Sequence, residues 1–330
     1  FIMIESLAYL VVRTPHMDAW MDLARTHIGF QTEVLPAGAG VRLRMDDRCQ
    51  RLLLLPTDQA PALSMGLSVA DGQALQALRA RLQGEGHTCR SGTPQEIALR
   101  AVEDMLVFQD PDGNQVEVAH GLRPAATSFT PGRPLGGFRT GELGLGHVAL
   151  IAANYPAMAH LYKELLGFRL SDYASVPFKA EFLHVNPRHH SLALIDIDID
   201  APAAVHHVMV EYRDLDDVGR AYDMAQERPE SVGVTLGRHS NDHVISFYLK
   251  TPDGWMLELG WAGCTIGENW QAEELPGPSL WGHDRYWLPE AKRQEARQLL
   301  KNIAAQGIRA PVAVQAQAAA EGGVAMGGKQ

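Results

Sequence analysis

Two stretches of this sequence, Leu7-Ala8-Tyr9-Leu10-Val11-Val12 and Leu145-Gly146-His147-Val148-Ala149-Leu150, open the same pattern twice. Each is an apolar run of strand length that leads into residues with helical spacing. These lie around Trp20, Met21 and Leu23 in the first case, and run through Met158, Leu161, Tyr162 and Leu165 in the second. Each pattern then reaches an apolar-Gly-Phe triplet, Ile28-Gly29-Phe30 or Leu166-Gly167-Phe168. The step from Tyr9 to Gly29 is 20 positions, and so is the step from His147 to Gly167. A period of this kind means that one folding unit is used more than once.

Working outward, Met65 to Val69 with a predicted helix over Gln73 to Leu82 answers to His206 to Val210 with a predicted helix over Leu215 to Gln226. Both halves close on two strand-like runs around Pro111-Asp112-Gly113 and Pro252-Asp253-Gly254, residues that favour a chain reversal. Pro111 to Glu117 and Pro252 to Glu258 are both steps of six. The pattern predicts an α+β protein of four βαβββ modules, paired into two domains that each form one curved mixed sheet. We place the domains at residues 1–135 and 136–285, with the Pro/Gly-rich linker near Arg123 to Thr140, and a C-terminal helix and tail at 286–330. In the last part, Ser279 to His283 reads as an ordered segment and Glu290 to Ala305 as a charged amphipathic helix. Ala310 to Gln330 reads as a mobile tail.

Composition narrows the function. The 330 residues carry 29 Lys plus Arg against 39 Asp plus Glu, so phosphate backbones are repelled in the mean and nucleic acid is not an expected partner. No apolar run approaches the roughly 20 residues that span a bilayer, and Phe1 to Arg13 lacks the layout of a secretory signal. Three scattered cysteines, Cys49, Cys89 and Cys264, build neither a disulfide framework nor a zinc knuckle. The expected setting is cytoplasmic.

The informative positions are those where two copies of one unit differ in kind. His147 falls opposite Tyr9, His207 opposite Gly66, and Glu258 opposite Glu117. In the second half, two imidazoles and a carboxylate thus converge from three strands onto the inside of one sheet. Two neutral histidines and one carboxylate on one face of a metal suit non-haem Fe(II) or Mn(II), with the other face open. Zinc accepts the same ligands, but its hydrolase sites generally use HExxH on a helix, which is absent from this sequence. Tyr9 and Gly66 cannot rebuild the triad, so the first domain is expected to bind no metal. Gly144-x-Gly146 lacks the third glycine of a dinucleotide fingerprint and is set aside.

One segment goes further. Gly237-Arg238-His239-Ser240-Asn241-Asp242-His243-Val244-Ile245-Ser246-Phe247-Tyr248-Leu249-Lys250-Thr251-Pro252-Asp253-Gly254-Trp255-Met256-Leu257-Glu258 resembles the signature of type I extradiol ring-cleavage dioxygenases. That signature is Gly-x-His, seven residues, an apolar residue, Tyr, two residues, Thr-Pro-x-Gly, three residues and Glu. The resemblance extends to about Asp284 and includes Thr140 to His147, Asn186 to Ala193 and Leu280 to His283. It departs in Ser171 to Ala180, in Asp196 to Asp200 and in the tail.

The resemblance implies the vicinal oxygen chelate fold and extradiol cleavage of a catechol by dioxygen at Fe(II), with Mn(II) as the alternative ion. It points to the branch acting on bicyclic or larger 3-substituted catechols such as 2,3-dihydroxybiphenyl, often as large homo-oligomers. Carried over by motif, the metal ligands are His147, His207 and Glu258. His206 competes with His207 but should face the opposite side of its strand. The catalytic positions fall on His190, His239 and Tyr248, and Asp242 would orient a neighbouring imidazole. Ala149, Phe182 and Ala193 would line the distal part of the pocket, two small residues leaving room and one aromatic offering a stacking surface. His189 reads as a packing or surface residue, and Trp255 and Trp261 as flanks of the ligand strand. The alternative is a glyoxalase-type isomerase or a metal-dependent binding protein on the same fold.

Overall fold

The computed structural model describes residues 4–197 and 204–306. The first half builds β1 (Ser6–Thr14), α1 (Met17–Asp22), β2 (Gln31–Val34), β3 (Val41–Arg44) and β4 (Leu52–Pro56). Its second unit is β5 (Ala62–Ser68), α2 (Gly72–Gly84), β6 (Cys89–Ser91), β7 (Asp104–Gln109) and β8 (Gln115–His120), with an added helix α3 (Pro94–Arg100) between β6 and β7. The second half repeats the plan with β9 (Gly146–Ile151), α4 (Tyr155–Ala159), β10 (Arg169–Ala174), β11 (Lys179–His184) and β12 (Leu192–Asp196). Its closing unit is β13 (Ala204–Tyr212), α5 (Leu215–Gln226), β14 (Val232–His239), β15 (Ile245–Lys250) and β16 (Met256–Trp261). Two short strands, β17 (Glu274–Leu275) and β18 (Ser279–Gly282), and α6 (Glu290–Gln306) follow. The predicted tail over Ala310 to Gln330 and the acidic residues Asp198 to Asp200 lie outside the described residues.

The expected four modules are therefore present in two mixed sheets. Their orders are β2-β3-β4-β1-β5-β8-β7-β6 and β17-β10-β11-β12-β9-β13-β16-β15-β14-β18. In both, the two modules join through an antiparallel pair, β1 with β5 and β9 with β13. The repeat reaches into irregularities: α1 and α4 each run on into a wide helical turn, at Leu23–Ile28 and His160–Leu165. Local chemistry fixes the remaining ends. Asp71 Oδ1 accepts the Ala74 N–H at the start of α2, and Thr93 and Glu96 form a reciprocal capping box on α3.

One apolar core runs through both halves, with Trp20, Leu75 and Leu78 from the first and Met158, Leu161 and Val218 from the second. Trp20 packs against Trp255 at 5.3 Å between ring centroids, which makes Trp255 a packing residue. The two Pro-Asp-Gly turns cross between halves. Asp112 accepts the Ala153 and Asn154 backbone N–H groups at 2.9 and 2.8 Å, while Asp253 accepts from the Thr14 hydroxyl at 2.6 Å and Trp20 Nε1 at 2.7 Å.

Register corrects one alignment made from sequence. Tyr9 pairs with Gly66, which pairs with Glu117; His147 pairs with Met209, which pairs with Glu258. Met209, not His207, is thus the counterpart of Gly66, and His207 answers to Ser64. A shift of two keeps a side chain on the same face, so the inward direction of His207 is unaffected. Gly66 is small because a Cβ there would stand 2.3 Å from the Tyr9 ring. Gly146 has a related reason: a Cβ there would meet the Met209 carbonyl oxygen at 1.8 Å.

Candidate metal centre

His147 lies second in β9, His207 lies in β13 and Glu258 lies in β16, three strands that are neighbours in the order β9-β13-β16. Nε2 of His147 and Nε2 of His207 are 3.0 Å apart, and each is 3.3 Å from Glu258 Oε2. All three residues are buried or nearly so, with Glu258 at 0% exposure. Glu258 Oε2 accepts no hydrogen bond among the described residues. A buried carboxylate oxygen without a hydrogen bond, facing two imidazole nitrogens, is costly unless a cation draws the lone pairs together. The donor set therefore fits a divalent metal. Burial first, and then neighbouring histidines, hold the His207 imidazole down at about 4, which keeps it in the neutral form a ligand needs.

The other Glu258 oxygen is tied down. Oε1 accepts from the Ser246 hydroxyl at 2.6 Å and lies 3.0 Å from His239 Nε2. His239 Nδ1–H donates to the Pro278 carbonyl at 2.9 Å, and its Nε2 is 2.7 Å from the Tyr248 hydroxyl. Burial lowers this imidazole, but the Glu258 carboxylate outweighs it and protein charges alone push His239 up to about 9. His190 stacks on His147 at 4.0 Å between centroids, and burial holds it well below the usual histidine range. Asp242 Oδ2 stands 3.8 Å from His190 Nδ1, beyond hydrogen-bond range. Its other oxygen accepts the Val244 backbone N–H, so Asp242 shapes its own turn.

Ala149, Ala193 and Phe182 form a cross-strand row. Phe182 pairs with Ala193, Ala193 with Ala149, and Ala149 with His207. The row runs from the sheet's apolar side directly to a triad residue. The edge of Phe182 faces His190 at 5.1 Å.

Two expectations change here. The register shifts between Val205 and His207, and Nδ1 of His206 lies 2.6 Å from Nδ1 of His207. His206 therefore sits beside its neighbour at an irregularity in the strand, where simple alternation of faces does not hold. His189 is no surface residue: it is 1% exposed, with Nε2 2.8 Å from Asp172 Oδ2 and Nδ1 3.1 Å from His190 Nδ1. Sequence reasoning also missed Ser246 and His283. The latter packs on His239 at 4.2 Å and has Nδ1 2.7 Å from the Ser279 hydroxyl. Ser246 had a signal, since it lies two residues before Tyr248 and so shares its face. Trp261 Nε1–H donates to the Arg213 carbonyl and lies at the end of β16.

Known proteins fit this description. Residues 144–259 match the Glyoxalase/Bleomycin resistance protein/Dioxygenase superfamily, and residues 7–56 match Dihydroxybiphenyl dioxygenase BphC D1. The chain is 35% identical to an iron-dependent extradiol dioxygenase of Rhodococcus jostii, over 85% of this chain and 97% of that one. It is 33% identical to a biphenyl-2,3-diol 1,2-dioxygenase of Paraburkholderia xenovorans, over 89% and 99%. The crystal structure of BphC, a halotolerant catechol dioxygenase, superposes with a TM-score of 0.81 at 32% identity, covering 86% of this chain and 95% of that one. A Mn(II)-bound glyoxalase from Novosphingobium aromaticivorans, at 20% identity and a TM-score of 0.68, shares the fold. The chain belongs to the extradiol dioxygenase family of the vicinal oxygen chelate superfamily.

Proposed function

We propose that this chain cleaves the ring of a catechol in the extradiol sense, with dioxygen as co-substrate and Fe(II) held by His147, His207 and Glu258. The observation that carries the reading is the meeting of Glu258 Oε2 with the two Nε2 atoms at 3.0 to 3.3 Å, ringed by His190, His239 and Tyr248. Fe(II) bound there supplies the redox chemistry that lets an aromatic diol react with dioxygen. The side chains do the rest. His239 and Tyr248 hydrogen-bond the ring oxygens and favour their ionised form, and Ser246 keeps Glu258 turned so that Oε2 faces the ligands. His190 accepts and returns a proton beside the ring.

The substrate in this reading is a bicyclic or larger 3-substituted catechol such as 2,3-dihydroxybiphenyl. Ala149 and Ala193 leave space between Phe182 and His207, and the relatives that act on biphenyl-2,3-diol support it. Residues 136–285 are then the metal-binding, catalytic domain, 1–135 its non-catalytic partner and 286–330 an appended helix and tail. The apolar side chains exposed at Trp281, Tyr286 and Trp287 support a homo-oligomer, and three free cysteines support a cytoplasmic setting. Among the described residues no helix is long and apolar enough to cross a membrane.

The test is oxygen uptake by anaerobically iron-loaded protein given 2,3-dihydroxybiphenyl, 1,2-dihydroxynaphthalene, catechol and 3-methylcatechol. The expected result is uptake matched to yellow ring-fission product, fastest for the bicyclic diols. Retained iron with no uptake from any of the four would sink the reading.

A further inference from the structure

Asp172 on β10 and His189 in the turn before β12 have no role in the function proposed above, yet both are buried, at 0% and 1% exposure. They form a row with His190: Asp172 Oδ2 to His189 Nε2 is 2.8 Å, and His189 Nδ1 to His190 Nδ1 is 3.1 Å. Asp172 Oδ1 accepts the Glu273 backbone N–H at 2.9 Å. Trp270 stands edge-on to His189 at 5.4 Å and donates from Nε1 to the Ser171 carbonyl. The segment leading into β17 thus lies over the row.

Hydrogen-bond polarity assigns the protons. A carboxylate only accepts, so His189 is protonated on Nε2, and in the neutral ring Nδ1 is left as an acceptor. The Nδ1 to Nδ1 contact then requires His190 to donate from Nδ1, which leaves its Nε2 with a lone pair. Asp242 Oδ2, at 3.8 Å, is beyond hydrogen-bond range of His190 Nδ1, and its charge favours the same Nδ1–H form without bonding to it. We propose that Asp172 and His189 are positioning residues that hold His190 as the Nδ1–H tautomer. Nε2 of His190 is then left with a lone pair, able to accept a hydrogen bond from a substrate hydroxyl. The role in turnover rests on the extradiol reading; the tautomer does not.

Asp172→Asn reverses the row. Its amide oxygen stays on the Glu273 N–H, because the NH2 group there would set donor against donor, and the NH2 group then faces His189 Nε2. His189 shifts its proton to Nδ1, and His190 moves its own to Nε2. His189→Gln keeps the original polarity, with an amide N–H toward Asp172 and an oxygen toward His190. The experiment reads histidine side-chain 15N shifts on the full chain loaded with Zn(II) as a diamagnetic ion, with His190 assigned by difference from His190→Gln. Wild type and H189Q should show His190 protonated on Nδ1, and D172N should show it protonated on Nε2. With iron, D172N should lose about 10²-fold or more in kcat while KM stays within about threefold, and H189Q should stay within about tenfold of wild type. A wild-type His190 protonated on Nε2 overturns the proposal, and this measurement stands even if D172N fails to fold. Unchanged kcat in folded D172N overturns it as well. Wild-type protein that cleaves no catechol but carries the Nδ1–H tautomer would remove the functional reading and leave the tautomer assignment supported.

Discussion

Glu117 in the first sheet and Glu258 in the second occupy matching places on the ladder, yet their carboxylates meet opposite surroundings. Glu117 is saturated: Arg100 donates to both oxygens at 2.9 and 2.6 Å, Tyr9 donates at 2.9 Å and Gln115 at 2.9 Å. Glu258 has one oxygen satisfied and the other turned to two imidazoles. The cause is in the elements around them. The first half inserts α3, whose last residue is Arg100 and whose Ile97 and Leu99 pack on a cluster with Tyr9, Val11 and Leu53. The second half has no helix between β14 and β15, and alanines line the corresponding face. One fold thus surrounds its buried carboxylate in two ways, with a guanidinium that fills the face in the first half and with two imidazoles that leave one oxygen without a hydrogen bond in the second.

The sharpest way to break this comparison is to remove both carboxylate charges in turn. Glu258→Gln should abolish bound iron and cut ring cleavage by more than the roughly 10–100-fold that outer partners of a metal command. Glu117→Gln should leave iron per chain unchanged, as metal analysis of the two purified variants would show. Equal iron loss in both would end the distinction between the halves. Next in size, Arg100→Met strands Glu117 and should cost about 3–5 kcal/mol by urea unfolding. Adding Glu117→Gln to the same chain should restore part of that loss, since the two sites are coupled.

A smaller effect depends on pH. Burial, with Arg169 and His189 adding to it, lowers the His184 imidazole to about 4, against 6.5 for the unfolded chain. The folded state therefore disfavours the proton. This contribution is complete above pH 6.5 and is lost as pH falls from 6.5 toward 4, by at most about 3 kcal/mol. Urea midpoints at pH 7.5 and 5 should differ less in His184→Gln than in wild type. Smaller again, Gly66→Ala places a Cβ against the Tyr9 ring and should cost about 1–3 kcal/mol, read as a lowered urea midpoint with iron content unchanged.

Much of this was legible beforehand, and the reasons are physical. The repeat showed because strand, helix and turn each leave a local pattern, and two copies at equal steps reinforce one another. His147 and Glu258 stood out because they differ from or match their copies at fixed distances from Gly167 and Pro252. Alternation puts His207 on the face it shares with Met209 yet two positions off its counterpart, since a shift of two leaves the face unchanged. The irregularity at His206 has no turn residue to announce it. Helix α3 does not follow from the repeat, although Thr93, Pro94 and Glu96 form a capping signal, because it has no counterpart in the second half. Asp172 and His189 lie on separate elements and meet only through the pairing of β10, β11 and β12, so no short motif joins them.

The crossed turns tie the first half to the strands of the candidate site. Asp112 holds the backbone that follows β9, the strand of His147, and Asp253 sits in the turn that leads to Glu258 while gripping Thr14 and Trp20. The strands of His147 and Glu258 are thereby moored to the first half, through its own turn in one case and through Thr14 and Trp20 in the other. A change at Asp112, Thr14 or Trp20 therefore acts on the backbone that carries His147 and Glu258 without touching either side chain.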